Sequence, residues 1–242
     1  DAVAPKYSSF SVSSVGDING DGFDDLIVGA NSSGDDQPNG TSYVVFGKAS
    51  GFGPFFSLSS LDGKNGFQLI DGVSTNLGIS FSGRSAGDIN GDGFDDLIVN
   101  TDVSYVVFGK ASGFGATVNL SSLDGRLGFR LDAQSNFLSA SSAGDINGDG
   151  FDDLIIEASG NSYIIFGKAS GFGPQFVLEN LDGNDGFRFY RDGFISFSLS
   201  RAGDVNSDGF DDVIIGFPRV DVVGNVDAGT SYVLFGSASK FK

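Results

Sequence analysis

The chain has 242 residues, with 31 Asp and Glu against 14 Lys and Arg, and its net charge is −17. It has no Cys and no His, which excludes thiol catalysis, a Ser-His-Asp triad, a zinc cage and haem or iron–sulfur centres. The negative charge repels nucleic acid and anionic membranes, so we expect no nucleic-acid partner and no membrane insertion. A hydrophobic content of 40% is too high for a disordered acidic chain, so the protein is expected to fold.

Taken in chain order, the first 70 residues contain four short segments typical of β-strands. Phe10–Val15 alternates in polarity, and Asp25–Gly29 is a short apolar run between turn residues. Ser42–Phe46 is rich in aromatic and β-branched residues, and Gly66–Ile70 is the fourth segment. The sequence shows no sustained 3.6-residue periodicity, so we expect almost no helix.

The same pattern then returns three times. The block GDINGDGFDDLI begins at Gly16, Gly87 and Gly144, and a close variant, GDVNSDGFDDVI, begins at Gly203. A second block, of the type SYVVFG, follows each copy. Repeats of this length, built from short strands, bury their faces against neighbouring repeats. We therefore predict an all-β fold, a β-propeller of four blades with four antiparallel strands each. It would form one domain over residues 1–242, with repeats at about 8–66, 67–128, 129–186 and 187–242.

Two parts of this prediction concern the ends and the long loops. Only three fourth-strand segments serve four repeats, so one outer strand is missing. Ala2–Tyr7 would supply it by pairing with Ser231–Phe235 in a closed monomer. The alternatives are a ring completed by a second chain, and a fragment of a larger propeller. The loops at 30–41 and 217–230 are longer than their counterparts, and either bind a partner or are tolerated insertions.

The repeated nonapeptide carries the chemical signal. In repeat one it places Asp17, Asn19, Asp21 and Asp25 at positions 1, 3, 5 and 9, with the carbonyl of Phe23 at position 7. Oxygen donors spaced in this way converge in a tight loop and suit Ca²⁺. Softer metals prefer the His and Cys that this chain lacks. The spacing begins like an EF-hand but lacks the Glu at position 12. The aspartates at position 8, by contrast, are predicted to point away into solvent.

We therefore predict four calcium sites, about four Ca²⁺ per chain. Their ligands are Asp17, Asn19, Asp21, Phe23 and Asp25; Asp88, Asn90, Asp92, Phe94 and Asp96; Asp145, Asn147, Asp149, Phe151 and Asp153; and Asp204, Asn206, Asp208, Phe210 and Asp212.

The repeats resemble the FG-GAP repeat of the integrin α-subunit β-propeller and of its bacterial relatives. The Phe-Gly pair of that family stands at 46–47, 108–109, 166–167 and 235–236. The resemblance implies the same calcium loops at positions 1, 3, 5, 7 and 9. Integrin propellers have seven blades and this chain has four repeats, so the integrin ligand-binding face is not carried over.

The expected function is a calcium-binding, calcium-stabilised module, extracellular or at the cell surface, that recognises a protein or glycan or mediates cell adhesion. We expect no enzyme activity and assign no catalytic residue. The alternative is an accessory or catalytic domain of a polysaccharide-degrading enzyme, because paired carboxylates can do acid–base chemistry. The charged residues left for such a role are Glu157, Arg84, Arg130, Arg188, Arg191 and Arg201.

Overall fold

The structure is a computed structural model that describes residues 10–30, 41–71, 82–101, 103–133, 138–158, 161–189, 198–217 and 228–238. These residues form seventeen strands and three single-turn 3-10 helices. The 3-10 turns are Leu58–Ser60, Leu120–Ser122 and Leu178–Asn180. Among the described residues no helix is long and apolar enough to cross a membrane. The all-β prediction is confirmed.

The strands follow the repeats, but the last strand of each of the first three repeats begins at the predicted end of that repeat and runs three to four residues past it. In repeat one they are β1 Phe10–Gly16, β2 Asp25–Ala30, β3 Thr41–Val45 and β4 Gly66–Ile70. In repeat two they are β5 Ser82–Gly87, β6 Asp96–Asn100, β7 Ser104–Val107, β8 Thr117–Asn119 and β9 Gly128–Asp132. In repeat three they are β10 Leu138–Gly144, β11 Asp153–Ala158, β12 Asn161–Ile165, β13 Gln175–Val177 and β14 Gly186–Phe189. In repeat four they are β15 Ser198–Gly203, β16 Asp212–Phe217 and β17 Thr230–Leu234.

Each repeat supplies most of the strands of one sheet, in agreement with the prediction of four propeller blades. Sheet 1 has the order β1-β2-β3-β4-β8, and sheet 2 has the order β13-β9-β7-β6-β5. Sheet 3 is β10-β11-β12-β14, and sheet 4 contains the three described strands β15-β16-β17. The prediction of four antiparallel strands in each sheet is therefore incomplete. Sheets 1 and 2 each have a fifth strand from the following repeat, because β8 of repeat two pairs in parallel with β4 and β13 of repeat three lies beside β9.

The chain divides into two compact units. The first comprises Asp1–Ser85, Gly93–Arg130 and Phe172–Phe176, and the second comprises Ala86–Asp92, Leu131–Gly171 and Val177–Lys242. Each unit has its own hydrophobic core. In the first, Ile27 and Val44 pack with Leu97 and Val99, and in the second Ile164 packs with residues of sheet 4. The alternation of side chains along the strands places these residues on the faces that two sheets share.

Several of the repeated Phe residues form stacked pairs. Phe67 and Phe114 stack with ring centroids 4.4 Å apart, and Phe129 and Phe172 repeat the arrangement at 4.4 Å. Phe67 and Phe129 are completely buried. The rings therefore serve packing in a chain that has no Met and no Trp.

Candidate metal-binding loops

Each nonapeptide loop joins the first two strands of its sheet. In sheet 1 the loop leaves β1 after an irregularity between Ser14 and Gly16 and enters β2 at Asp25. Gly16 has φ +73°, a conformation that L-residues with side chains rarely adopt. The same irregularity and a positive φ recur at the ends of β10 and β15. The local sequence therefore fixes the direction in which these three loops leave their sheets.

The carboxylate at position 1 organises the loop backbone. Asp17 Oδ1 accepts hydrogen bonds from the N–H of Gly20, at 2.7 Å, and of Asp21, at 3.1 Å. Its Oδ2 accepts from the N–H of Gly22 at 2.8 Å. Asp145 makes the same three contacts in repeat three. An Asp at this position folds a tight loop because its short side chain reaches backbone groups three to five residues ahead.

The side chains at positions 3 and 5 turn toward the same place. Asp21 donates its N–H to Asn19 Oδ1 at 2.9 Å as well as to Asp17 Oδ1, so these two oxygens lie close to one nitrogen. Asn19 Nδ2 in turn lies 3.1 Å from Asp21 Oδ2. The amide–carboxylate contact recurs in every repeat, at 2.8 to 3.1 Å. Three of the predicted ligand side chains are thus held together in each loop.

The aspartate at position 9 is buried below the loop. Asp25 Oδ2 accepts from the N–H of Ile18 at 3.1 Å, and Oδ1 accepts from Gly47 at 2.8 Å. Burial raises the pKa of Asp25 to about 7; the two N–H groups oppose the rise, and the charges of Asp21 and Asp17 add to it.

The equivalent aspartate of repeat three has the same surroundings. Its carboxylate accepts from the N–H of Ile146 and of Gly167, both at 2.9 Å. Burial raises the pKa of Asp153 to about 8, against the effect of these two N–H groups, and the charges of Asp149 and Asp145 raise it further. A nearby cation would favour the ionised form of both carboxyls.

The donor set fits a hard cation. Each loop offers carboxylate and amide oxygens and no nitrogen or sulfur ligand, which is the chemistry that Ca²⁺ accepts. Within the described residues, no three or more His, Cys, Asp or Glu side chains are grouped closely enough to hold a metal by themselves. The loops instead combine the carboxylates at positions 1 and 5 with the amide at position 3.

Sequence reasoning missed the role of the glycine in the Phe-Gly pair. Its N–H donates to the position 9 carboxylate in all four repeats: Gly47 to Asp25, Gly109 to Asp96, Gly167 to Asp153 and Gly236 to Asp212, at 2.8 to 2.9 Å. A Cβ on Gly109 would lie 2.4 Å from the carbonyl oxygen of Asp95. The glycine is needed because the backbone itself approaches the loop.

The prediction for position 8 is wrong in three repeats. Asp95, Asp152 and Asp211 do not point into solvent. Each accepts the N–H of the position 1 residue of the preceding repeat: Asp17 to Asp95, Asp88 to Asp152 and Asp145 to Asp211, at 2.9 to 3.0 Å. Only Asp24, which has no preceding repeat in this chain, is exposed as predicted. The Asp-Asp pair at positions 8 and 9 recurs in every repeat of the sequence. The residue that donates to the position 8 aspartate, however, lies 64 to 78 residues away along the chain.

The comparisons with known proteins agree with this geometry. The FG-GAP repeat family matches residues 10–45, 85–117, 137–171 and 198–234, together more than half of the chain. The chain belongs to the FG-GAP repeat family. It is similar to integrin alpha-4 of Xenopus laevis, 30% identical over 163 residues, and to integrin alpha-V of Gallus gallus, 30% identical over 168 residues. These alignments cover 61% and 64% of the chain but only 15% of each integrin.

Four of the charged residues that were considered for catalysis in this FG-GAP protein are buried or interact with neighbouring side chains. Glu157 is buried in β11, and Arg201 forms an ion pair with Asp211 at 2.8 Å. Burial raises the pKa of Tyr163, the charge of Glu179 adds to the rise, and Arg188 opposes it. Arg130 similarly opposes the rise that burial and Asp71 cause at Tyr105, whose pKa is about 12.

Several predictions lie outside the described residues. They are the pairing of Ala2–Tyr7, most of the two long loops at 30–41 and 217–230, and Arg191.

Proposed function

We propose that this FG-GAP protein is a calcium-stabilised recognition module that works outside the cell or at its surface. The observation that carries the proposal is the fourfold recurrence of an all-oxygen loop in a chain similar to integrin α-subunits. Positions 1, 3, 5 and 9 of each loop would supply side-chain oxygens, and the Phe at position 7 would supply its carbonyl oxygen. A bound Ca²⁺ would supply positive charge and no redox chemistry.

The charge of the loops supports a structural role for the ion. Asp17, Asp21 and Asp25 lie within nine residues, and the first two are near enough to raise the pKa of the third. Like charges this close destabilise the folded loop unless a cation neutralises them. Because burial raises the pKa of Asp25 to about 7, protons and calcium would compete for this carboxyl near neutral pH.

The recognition role rests on the similarity to integrins alpha-4 and alpha-V. Because the chain spans only 15% of those proteins, their ligands are not transferred to it. We propose a protein partner, because the similar chains are integrin α-subunits. Recognition residues usually lie on loops that a rigid framework holds in place. No catalytic role is proposed.

Calcium binding is tested by direct titration of the metal-free chain with Ca²⁺, measured by calorimetry. We expect a stoichiometry near four, and a loss of about one site in Asp21→Ala and in Asp92→Ala. Asp24→Ala is the matched control, because its exposed carboxylate adjoins a loop ligand but belongs to position 8. No heat of binding in the intact chain, or an equal loss in the control, would overturn the calcium proposal.

The recognition proposal is tested separately with surfaces coated with the full chain. Cells that display the partner should attach in millimolar Ca²⁺ and detach in a chelator. Protease treatment of the cells should abolish attachment, whereas glycosidase treatment should not. Attachment that survives protease but not glycosidase would assign a glycan partner instead, and the absence of attachment by any cell type would contradict adhesion.

A further inference from the structure

One face of the last repeat is apolar and exposed. Ile214 of β16 and Val233 of β17 are cross-strand neighbours, and they are 41% and 42% exposed. Val205, in the adjoining loop, is 55% exposed. The equivalent residues of repeat three, Ile146, Ile155 and Ile164, are all completely buried. We call the surface formed by Val205, Ile214 and Val233 the trailing face.

The first repeat also exposes an apolar face, formed by positions of the repeat other than those of the trailing face. Val12 of β1 is 75% exposed and Leu26 of β2 is 47% exposed, and Phe23 in the adjoining loop is also exposed. Their counterparts in repeat four, Leu199 and Val213, are buried. We call the surface formed by Val12, Phe23 and Leu26 the leading face.

Inside the chain, trailing and leading faces cover each other. In the second core, Ile146, Ile155 and Ile164 of repeat three pack with Leu199 and Val213 of repeat four. The first core repeats this pattern between sheets 1 and 2. There Ile18, Ile27 and Val44 pack with Leu97 and Val99. The contact is close, since a Cβ on Gly83 of β5 would lie 2.2 Å from Ile27 Cδ1.

We propose that the trailing face of one chain binds the leading face of a second copy of the same chain, head to tail. A second copy is the partner we choose, because its leading face has the same residue pattern as the faces that cover the trailing faces of repeats one and three inside the chain. Exposed apolar surface of this kind marks an interaction site.

The loops beside the two faces carry the matching hydrogen-bond groups. A Cβ on Gly144 would lie 2.2 Å from Asp211 Oδ2, where the two repeats meet, whereas a Cβ on Gly203 of repeat four has no heavy atom within 4 Å. The space at Gly203 is therefore open to an incoming aspartate. Asp24 on the leading side is exposed and has the same loop position as Asp211. In the docked pair, Asp24 would accept the N–H of Asp204.

One residue distinguishes this interface from the internal ones. At loop position 4, Gly20, Gly91 and Gly148 each lie under the Phe ring of the next repeat, and an added Cβ would be 2.2 to 2.3 Å from that ring. Repeat four has Ser207 there instead, with φ 60°. The Phe23 ring must therefore turn aside from Ser207 in the docked pair. The Ser207→Gly variant should remove this obstacle and tighten association.

A head-to-tail contact between two copies can close on itself, because each copy offers both faces. A closed pair uses two identical interfaces and leaves neither face exposed, whereas a contact that does not close would extend into a chain of copies. We infer the closed pair, with eight sheets in all.

The test is light scattering on the full chain in millimolar Ca²⁺ and at physiological ionic strength, where charges are screened beyond ~8 Å. One chain has a mass of 25.0 kDa, so the pair should measure about 50 kDa. Val12→Arg and Val233→Arg place a charge in the leading and trailing face, and each variant alone should remain at the mass of one chain. Phe55→Arg is the control, because Phe55 is 94% exposed but lies in neither face, and it should not change the mass.

Mixing the two variants is the decisive arm. The Val12→Arg copy keeps an intact trailing face, and the Val233→Arg copy keeps an intact leading face, so their equimolar mixture should recover a pair of about 50 kDa through one interface. A single-chain mass for the intact protein across the micromolar range overturns the proposal, including the case in which the two faces meet within one chain. Failure of the mixture to recover, or an equal effect of Phe55→Arg, overturns it as well.

Discussion

Asp17 and Asp95 form a reciprocal pair of hydrogen bonds between repeats one and two. Asp17 donates its N–H to Asp95 Oδ2 at 2.9 Å, and Asp95 donates its N–H to the carbonyl oxygen of Asp17 at 3.2 Å. Repeats two and three contribute Asp88 and Asp152 to an equivalent pair, at 2.9 and 3.1 Å. The loop that carries the candidate ligands of one repeat is therefore fixed in place by the next repeat.

The pair predicts an unequal effect of two identical substitutions. Asp95→Ala should lower the free energy of unfolding by about 1–3 kcal/mol, because the N–H of Asp17 loses a charged acceptor. Asp24→Ala, the same change at an exposed position 8, should stay within about 0.5 kcal/mol of the parent. Urea unfolding of dilute protein measures both, with and without chelator, so that any effect through metal binding is separated. Equal losses in the two variants would contradict the role given to the pair.

The Phe-Gly glycine gives a second matched comparison. Gly109→Ala places a Cβ 2.4 Å from the backbone oxygen of Asp95, which cannot move without moving the loop, so we expect a loss of about 1–3 kcal/mol. At Gly115 the nearest atom to an added Cβ is 3.5 Å away, and its φ is not in the left-handed region. Gly115→Ala should therefore be neutral or slightly stabilising, because it restricts the unfolded chain. Thermal unfolding of both variants checks this, and a stable Gly109→Ala protein would show that the close approach is not required.

The sequence was sufficient to predict the strands and the contacts made within a loop. Strand alternation located both ends of β1 to β4 to within one residue, because each segment is apolar on a defined face. The side chains at positions 1, 3 and 5 lie together in the structure, as their closeness along the chain indicates, while their role as calcium ligands stays a prediction. The contacts of Asp95 and the fifth strand β8 were not predicted, because both depend on which repeats pack side by side. Identical motifs give no local sign of such partners.

The positive φ of Ser207 predicts that replacing this residue with glycine stabilises repeat four. Ser207 is the only described residue other than glycine with positive φ, and a side chain in this conformation costs roughly 1–2 kcal/mol. Ser207→Gly should therefore raise the free energy of unfolding by about 1 kcal/mol. The reverse change in repeat three, Gly148→Ser, should lower it by about 2–4 kcal/mol, since it adds both this strain and a clash with the Phe210 ring at 2.3 Å. Denaturant unfolding at low protein concentration measures both variants. A destabilised Ser207→Gly protein would show that the backbone of Ser207 is not strained.

Removal of calcium should weaken the whole protein. With a dissociation constant of ~10⁻⁴–10⁻³ M for each loop, the range of extracellular modules, 1 mM Ca²⁺ would contribute ~0.4–1.4 kcal/mol for each site by mass action. Four sites then contribute about 2–6 kcal/mol, a large part of a typical stability of ~5–15 kcal/mol.

A chelator should therefore lower the melting temperature, and Ca²⁺ should restore it better than Mg²⁺. The reason for this preference is that Mg²⁺ requires a stricter octahedral shell than a loop of mixed carboxylate, amide and carbonyl donors provides. The melting temperature measured against Ca²⁺ concentration should rise through the dissociation constant and continue to rise with the logarithm of the concentration. The double variant Asp21→Ala, Asp92→Ala should show a shallower rise than the parent, because it keeps two loops intact instead of four. If the melting temperature is the same in excess chelator and in excess Ca²⁺, the loops do not stabilise the fold through calcium.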